Sequence, residues 1–188
     1  AQMVEPIFKI TNKYTQKLKE VIRIMGTLSG KIAFITGAAM GNGEGIARVM
    51  ADKGATVILA DINEKVFETA KSIGEAATAY QVDISDYAKV KEVADDVIAK
   101  FGRLDILVNN AGIARMITID NMDDDLRDLH YRINMVGTWN CVKAFIPHMI
   151  ERKYGRIVNM SSVTGPRVVD PGMMGYALGK GAISAFTK

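Results

Sequence analysis

Five short apolar runs, each separated from the next by a segment with helical spacing, set the narrowest limit on what this chain can become. The runs fall near residues 31–36, 56–60, 77–82, 104–108 and 156–161, and the helical segments near 43–53, 64–73, 86–101, 123–152 and from about 175 onward. Strands alternating with helices need crossover connections, which return each strand parallel to its predecessor and lay helices on both faces of the sheet. The expected fold is α/β: a doubly wound parallel sheet in three layers, α/β/α. Pro147 falls late in the fourth helical segment and is expected to kink it, because proline removes a backbone donor and crowds the preceding turn.

The 188 residues, 48% of them hydrophobic, suffice for one domain with a sizeable core. No apolar run reaches the roughly 18 residues of a membrane span, and the first residues lack a secretory signal, so a cytoplasmic protein with no membrane partner is expected. Cys141 is a lone cysteine, and with it only His130 and His148 are at hand, so neither a disulfide nor a metal site is expected. The net charge of +3 is concentrated at one end. Lys9, Lys13, Lys17, Lys19 and Arg23 stand against Glu5 and Glu20 there, and the rest of the chain is neutral. Without a basic stripe, nucleic acid is not an expected partner. Tyr14, Leu18, Val21, Ile22 and Met25 recur at helical spacing, so residues 1–27 are expected to be a basic amphipathic extension before a domain at 28–188. That extension is either appended sequence or a contact with another subunit or partner.

Directly after the first apolar run comes Thr36-Gly37-Ala38-Ala39-Met40-Gly41-Asn42-Gly43, and then a helix-forming stretch. Glycines such as Gly37 and Gly43 let a backbone turn tightly and approach a pyrophosphate, whose charge is met by free N–H groups at a helix N-terminus. Met40 and Asn42 complete the loop. The second run ends at Asp61, where a dinucleotide fold hydrogen-bonds the adenosine ribose; the competing role is a helix cap. Neither Ile62 nor Met40 offers a cation for a 2′-phosphate, so NAD is expected and NADP less so.

Further along stand Asn109-Asn110-Ala111-Gly112, Asn134, Ser161-Ser162 and Tyr176-Ala177-Leu178-Gly179-Lys180. The ordered set, TGxxxGxG, an acid at the second strand end, NNAG, a helical Asn, SS and YxxxK, resembles the classical short-chain dehydrogenase/reductase family over about residues 28–188. The resemblance implies a Rossmann fold. It also implies that Tyr176 is the general acid/base, that Lys180 lowers its pKa and bonds the nicotinamide ribose, and that Ser162 holds the substrate oxygen, with Ser161 the fallback. Asn134 would hold a relay water. Asn110, Ala111 and Gly112 would approach the cofactor ribose, and Asp83 and Ile84 would flank the adenine, Asp83 having a helix cap as its competing role. Tyr87 and Lys91 repeat the four-residue spacing, but no serine precedes them, and they are read as a solvated helix start.

The residue types suit the chemistry. Moving a hydride between an alcohol carbon and nicotinamide also requires moving the hydroxyl proton. A free tyrosine ionises near pH 10, so working at neutral pH needs about 4 kcal/mol of phenolate stabilisation. One cation about 4 Å away at an effective dielectric near 20 supplies roughly that.

Members of the family continue for about another third of a domain, so this chain is expected to lack the last two strands and to be truncated or incompletely observed, leaving residues 156–161 as a sheet edge. Between the serines and Tyr176, Val168, Val169, Met173 and Met174 suggest an apolar wall and Arg167 a partner for an anionic group. The expected function is hydride transfer between NAD and a small-molecule secondary alcohol or ketone. The alternatives are an NADPH-dependent 3-oxoacyl-thioester reductase and a non-catalytic nucleotide-binding fragment. A methyltransferase would share the glycine loop but leave Tyr176, Lys180 and Ser162 without a reason. The resemblance further implies a homo-dimer or homo-tetramer joined through the fourth and fifth helices.

Overall fold

A computed structural model describes residues 26–188; the amphipathic segment expected at the N-terminus lies almost wholly outside the described residues. In chain order the elements are β1 (Ile32–Thr36), α1 (Gly41–Asp52), β2 (Thr56–Asp61), α2 (Lys65–Ile73), β3 (Ala77–Gln81), α3 (Tyr87–Phe101), β4 (Ile106–Asn109), α4 (Asp124–Tyr131), a π-helical segment (Arg132–Gly137), α5 (Thr138–Glu151), β5 (Arg156–Asn159) and α6 (Met174–Phe186). All strand pairs are parallel, in the order β3-β2-β1-β4-β5. The chain winds outward from β1 through β2 and β3, then crosses to β4 on the other side of β1. That reversal opens a crevice beyond the C-terminal ends of β1 and β4, the place where such sheets bind ligands.

Every residue of β1 is buried, as its unbroken apolar run requires. Alternate side chains feed two cores. Ile32 and Phe34 join Ile58, Leu107 and Phe145 on one face, where the Phe34 and Phe145 rings lie 4.9 Å apart; Ala33 and Ile35 join Val57, Leu59 and Val66 on the other. At the far end of the sheet from the crevice, Asp105 ties three elements together. Its Oδ2 accepts from the Ile32 N–H and from Arg103 Nε, both at 3.0 Å, while Arg152 at the end of α5 approaches Oδ1 at 3.4 Å. Burial pushes the Asp105 carboxyl up, but the Arg103 hydrogen bond, the Ile32 N–H and the charges of Arg103 and Arg152 outweigh it and hold it below the usual range.

The fourth helical segment departs from the single helix expected of it. Residues 123–152 do not form one α-helix: residues 132–137 adopt π-helical bonding between α4 and α5. Hydrophobic spacing does not register one extra residue in a turn, and single π turns often mark functional sites. α5 itself runs on through Pro147 to Glu151. The last strand is also shorter than read, ending at Asn159. It is a sheet edge with Val158 46% exposed.

Candidate active site

The crevice is a cleft of about 1100 Å³. On one side lies the glycine loop. Gly37 has φ +67°, and a Cβ there would sit 2.8 Å from the Ala111 Cα, so a side chain is barred by both backbone and neighbour. A Cβ on Gly43 would lie 2.1 Å from the Gly37 carbonyl oxygen, which is how closely α1 folds back on its own loop. Met40 precedes α1 in extended conformation and supplies no side-chain cap, leaving the first N–H groups of the helix to a ligand or water. Gly37, Met40 and Asn42 all line the cleft.

Asp61 closes this end. Its Oδ2 accepts from the Ala39 N–H and its Oδ1 from the Asn63 N–H, both at 2.9 Å, which orients the carboxylate and uses two of its roughly four lone-pair sites. The cap at the start of α2 falls to Asn63, whose Oδ1 accepts from the Lys65 N–H. Likewise Asp86, not Asp83, caps α3 through the Lys89 N–H, while Asp83 accepts from Ser85 and lines the cleft beside Ile84. Met40 and Ile62 are half or more exposed at this mouth, and the cations lining the cleft are Arg115, Arg132 and Lys180.

Thr36, which the sequence reading passed over, joins the two strand ends. Its Oγ1 accepts from the N–H groups of Asn110 and Ala111, each at 3.0 Å, and Asn110 Nδ2 returns a bond to the Thr36 carbonyl. The next turn carries Gly112 toward the opposite wall: a Cβ there would be 3.0 Å from Asn134 Oδ1 and 3.5 Å from Lys180 Nζ. Asn134 sits in the π segment with no exposure at all. Its Oδ1 accepts from the Ile113 N–H at 2.8 Å and its Nδ2 donates to the Ile113 carbonyl at 3.0 Å, so each polar atom of the amide already has a backbone partner.

On the opposite wall α6 presents Tyr176 and Lys180, one turn apart. The helix approaches closely because of two glycines: a Cβ on Gly175 would lie 3.1 Å from the His130 ring, and one on Gly179 would lie 2.7 Å from the Asn134 Cβ. Lys180 is 4% exposed; its Nζ donates to the Met160 carbonyl and stands 5.6 Å from the centre of the Tyr176 ring. No carboxylate pairs with it among the described residues, and burial pushes its pKa down. Of the two serines, Ser161 lines the cleft, but its hydroxyl donates to the Lys180 carbonyl at 2.8 Å. Ser162 lies one residue past the lining, its oxygen accepting from the Thr164 N–H at 3.1 Å. Tyr87 and Lys91 are engaged elsewhere: Lys143 covers the Tyr87 ring and Lys91 pairs with Asp95.

The cleft thus brings a helix start ready for an anion, an oriented carboxylate and a tyrosine–lysine pair into one space. Residues 31–188 match the sequence profile described as short chain dehydrogenase. The oxidoreductase UcpA of Salmonella typhimurium is 49% identical over 167 residues, covering 87% of this chain and 64% of that protein, so the chain spans just under two thirds of that relative's length. A 3-oxoacyl-[acyl-carrier-protein] reductase, FabG, of Thermotoga maritima is 36% identical over 86% of this chain and 67% of its own length. Among solved structures, an NAD+-bound xylitol dehydrogenase superposes with a TM-score of 0.82 at 32% identity, covering 86% of this chain and 64% of that one. A 3-ketoacyl-(acyl-carrier-protein) reductase from Brucella melitensis complexed with NADH gives the same score at 34% identity, covering 86% and 68%. Profile, relatives and fold agree with the geometry of the cleft, and the chain belongs to the short chain dehydrogenase family.

Proposed function

We propose that this chain carries the cofactor site and the proton-transfer residues of an NAD-linked oxidoreductase acting on a secondary alcohol or ketone. The observation that carries the reading is Lys180: a buried ammonium with no carboxylate partner among the described residues is costly, and its position beside Tyr176 gives that cost a use. The Lys180 ammonium, 5.6 Å from the centre of the Tyr176 ring, would stabilise negative charge developing on the phenol oxygen as the proton moves. Tyr176 would then take the proton from the substrate hydroxyl, or return it to the carbonyl oxygen. Ser162, whose own proton is uncommitted in the hydrogen-bond pattern, would donate to that oxygen.

The cofactor end suits NAD. A bound nicotinamide dinucleotide supplies or accepts the hydride. The N–H groups at the start of α1 would hold its pyrophosphate, Asp61 its adenosine ribose hydroxyls, and Asp83 with Ile84 its adenine. A 2′-phosphate would meet the Asp61 carboxylate, with only Met40 and Ile62 nearby in the sequence motifs. A 3-oxoacyl thioester is the second reading for the substrate, favoured by the acyl-carrier-protein reductases among the relatives. Apolar side chains exposed on α5 and α6, among them Trp139 and Phe186, support a homo-dimer or homo-tetramer, and the whole is read as cytoplasmic. Among the described residues no helix is long and apolar enough to cross a membrane.

Loss of NADH absorbance in the presence of a panel of ketones tests the reading. Tyr176→Phe should retain NADH binding and lose about 10²–10⁴-fold in turnover, the range of general acid–base catalysis. Turnover by the variant within a few-fold of the parent would remove Tyr176 from its role.

A further inference from the structure

The segment after the NNAG turn leads from the lysine to the start of α6. A Cβ on Gly112 would be 3.5 Å from Lys180 Nζ, and Ile117 pairs with Met173 while its N–H donates to the Gly172 carbonyl at 2.8 Å. Both ends of this short span are therefore fixed against the elements that carry Tyr176, and Arg115 lies in its middle, lining the cleft. Its backbone is fixed too: the Arg115 N–H donates to His130 Nε2 at 3.2 Å. His130 is 1% exposed, and its other ring nitrogen faces the Leu126 carbonyl at 2.9 Å, so the ring is held as the tautomer that accepts from Arg115. The same ring packs against Gly175, the residue before Tyr176.

A second guanidinium, Arg132, lines the same cleft from the π segment. The carboxylate one turn before it, Asp128, is hydrogen-bonded by Arg127 and also feels the Arg132 charge, but neither Arg115 nor Arg132 has an ion-pair contact within 4 Å among the described residues. The acids of the cleft, Asp61 and Asp83, lie at its adenosine end. Arg167, the cation that the sequence singled out for an anionic group, is exposed on a loop turn and does not line the cleft.

We infer that the substrate of this site carries an anionic group, a carboxylate being the simplest, and that Arg115 receives it while Arg132 adds to the local positive field. The inference rests on the oxidoreductase reading above and specifies its substrate class: oxo acids and hydroxy acids in preference to neutral ketones and alcohols. His130 acts as a positioning residue, fixing the backbone from which Arg115 reaches into the cleft. A guanidinium offers a carboxylate two parallel N–H donors, a recognition that a neutral ester cannot return.

The test is calorimetric titration of the chain saturated with NAD+, where an oxo acid binds without turnover. The probes are short 2-oxo and 3-oxo acids, each beside its own methyl ester. At least one acid should bind roughly tenfold or more tightly than its ester, the scale of a charged hydrogen bond. Arg115→Met should abolish that preference while leaving NAD+ affinity and ester binding unchanged, and Arg132→Met should only weaken it. Esters that bind as well as their acids throughout would overturn the inference while leaving the oxidoreductase reading intact. Loss of the preference in Arg132→Met but not in Arg115→Met would overturn the assignment to Arg115. If NAD+ itself does not bind, the underlying reading fails and takes this one with it.

Discussion

Two glycines on α6 offer a matched pair of substitutions with opposite expected outcomes. Gly179→Ala places a Cβ 2.7 Å from the Asn134 Cβ, where carbon–carbon contact normally begins at about 3.5 Å. Asn134 cannot retreat easily, because it is fully buried and both polar atoms of its amide are bonded to Ile113. The helix must therefore move by nearly 1 Å, taking Tyr176 and Lys180 with it. Forcing a methyl group into packed surroundings costs about 1–3 kcal/mol, against which the better helix propensity of alanine returns about 1 kcal/mol. At Gly181, two residues on, a Cβ would find its nearest neighbour, the Gly165 carbonyl carbon, at 4.0 Å, so Gly181→Ala keeps the propensity gain alone. The variants should differ by about 2 kcal/mol, or roughly 4–8 °C in melting temperature for a chain of this size, with Gly181→Ala at or above the parent. Scanning calorimetry of the three proteins decides it. If Gly179→Ala melts as high as Gly181→Ala, the close approach of α6 to the π segment is not what positions the tyrosine and lysine.

Other substitutions test other parts of the account. Asp61→Asn should weaken NADH binding about tenfold and narrow its margin over NADPH, read by the same titration with each dinucleotide, because the carboxylate both accepts ribose hydroxyls and repels a phosphate. Asp105→Asn should cost about 2–4 kcal/mol, since it unpairs a buried carboxylate network far from the cleft. The folded Asp105 carboxyl lies below its ordinary value, so its contribution is complete above about pH 4 and fades as pH falls through the folded value. The melting gap between parent and variant should accordingly hold constant from neutral pH down to about 5 and close only in stronger acid; a gap closing near neutrality would contradict the assignment. Burial pushes the Cys141 thiol up to about 12, so a disulfide reagent at mildly alkaline pH should label the folded chain negligibly and label it fully once denaturant is added.

Much of this molecule was legible because its signals are local. The burial of β1, the glycine turn after it and the acid at the end of β2 are consecutive residues whose spacing alone says strand, loop and helix. What the sequence concealed depends on contacts between distant residues. The bond from Asn134 to Ile113 and that from His130 to Arg115 join the π segment and the end of α4 to the turn after β4, and no periodicity announces either. The π turn itself hides inside a run of apolar residues that reads as continuous α-helix. Thr36 looked like the last residue of a strand, yet its hydroxyl collects two N–H groups from beyond β4. Asp105 was invisible for the same reason: its partners lie at Ile32, Arg103 and Arg152, and only the sheet brings them together. Asp61 and Asp83 could each have been a helix cap on sequence grounds; the structure gives those caps to Asn63 and Asp86, freeing both acids to face the cleft.

The central claim, that the cleft between β1 and β4 is a dinucleotide site selecting NAD through Asp61, is tested most directly by calorimetric titration of the chain with NADH and, separately, with NADPH. The account predicts saturable binding of one NADH per chain, with NADPH weaker by about tenfold or more from the repulsion at Asp61. NADPH binding as tight as NADH, or no binding of either, would contradict it.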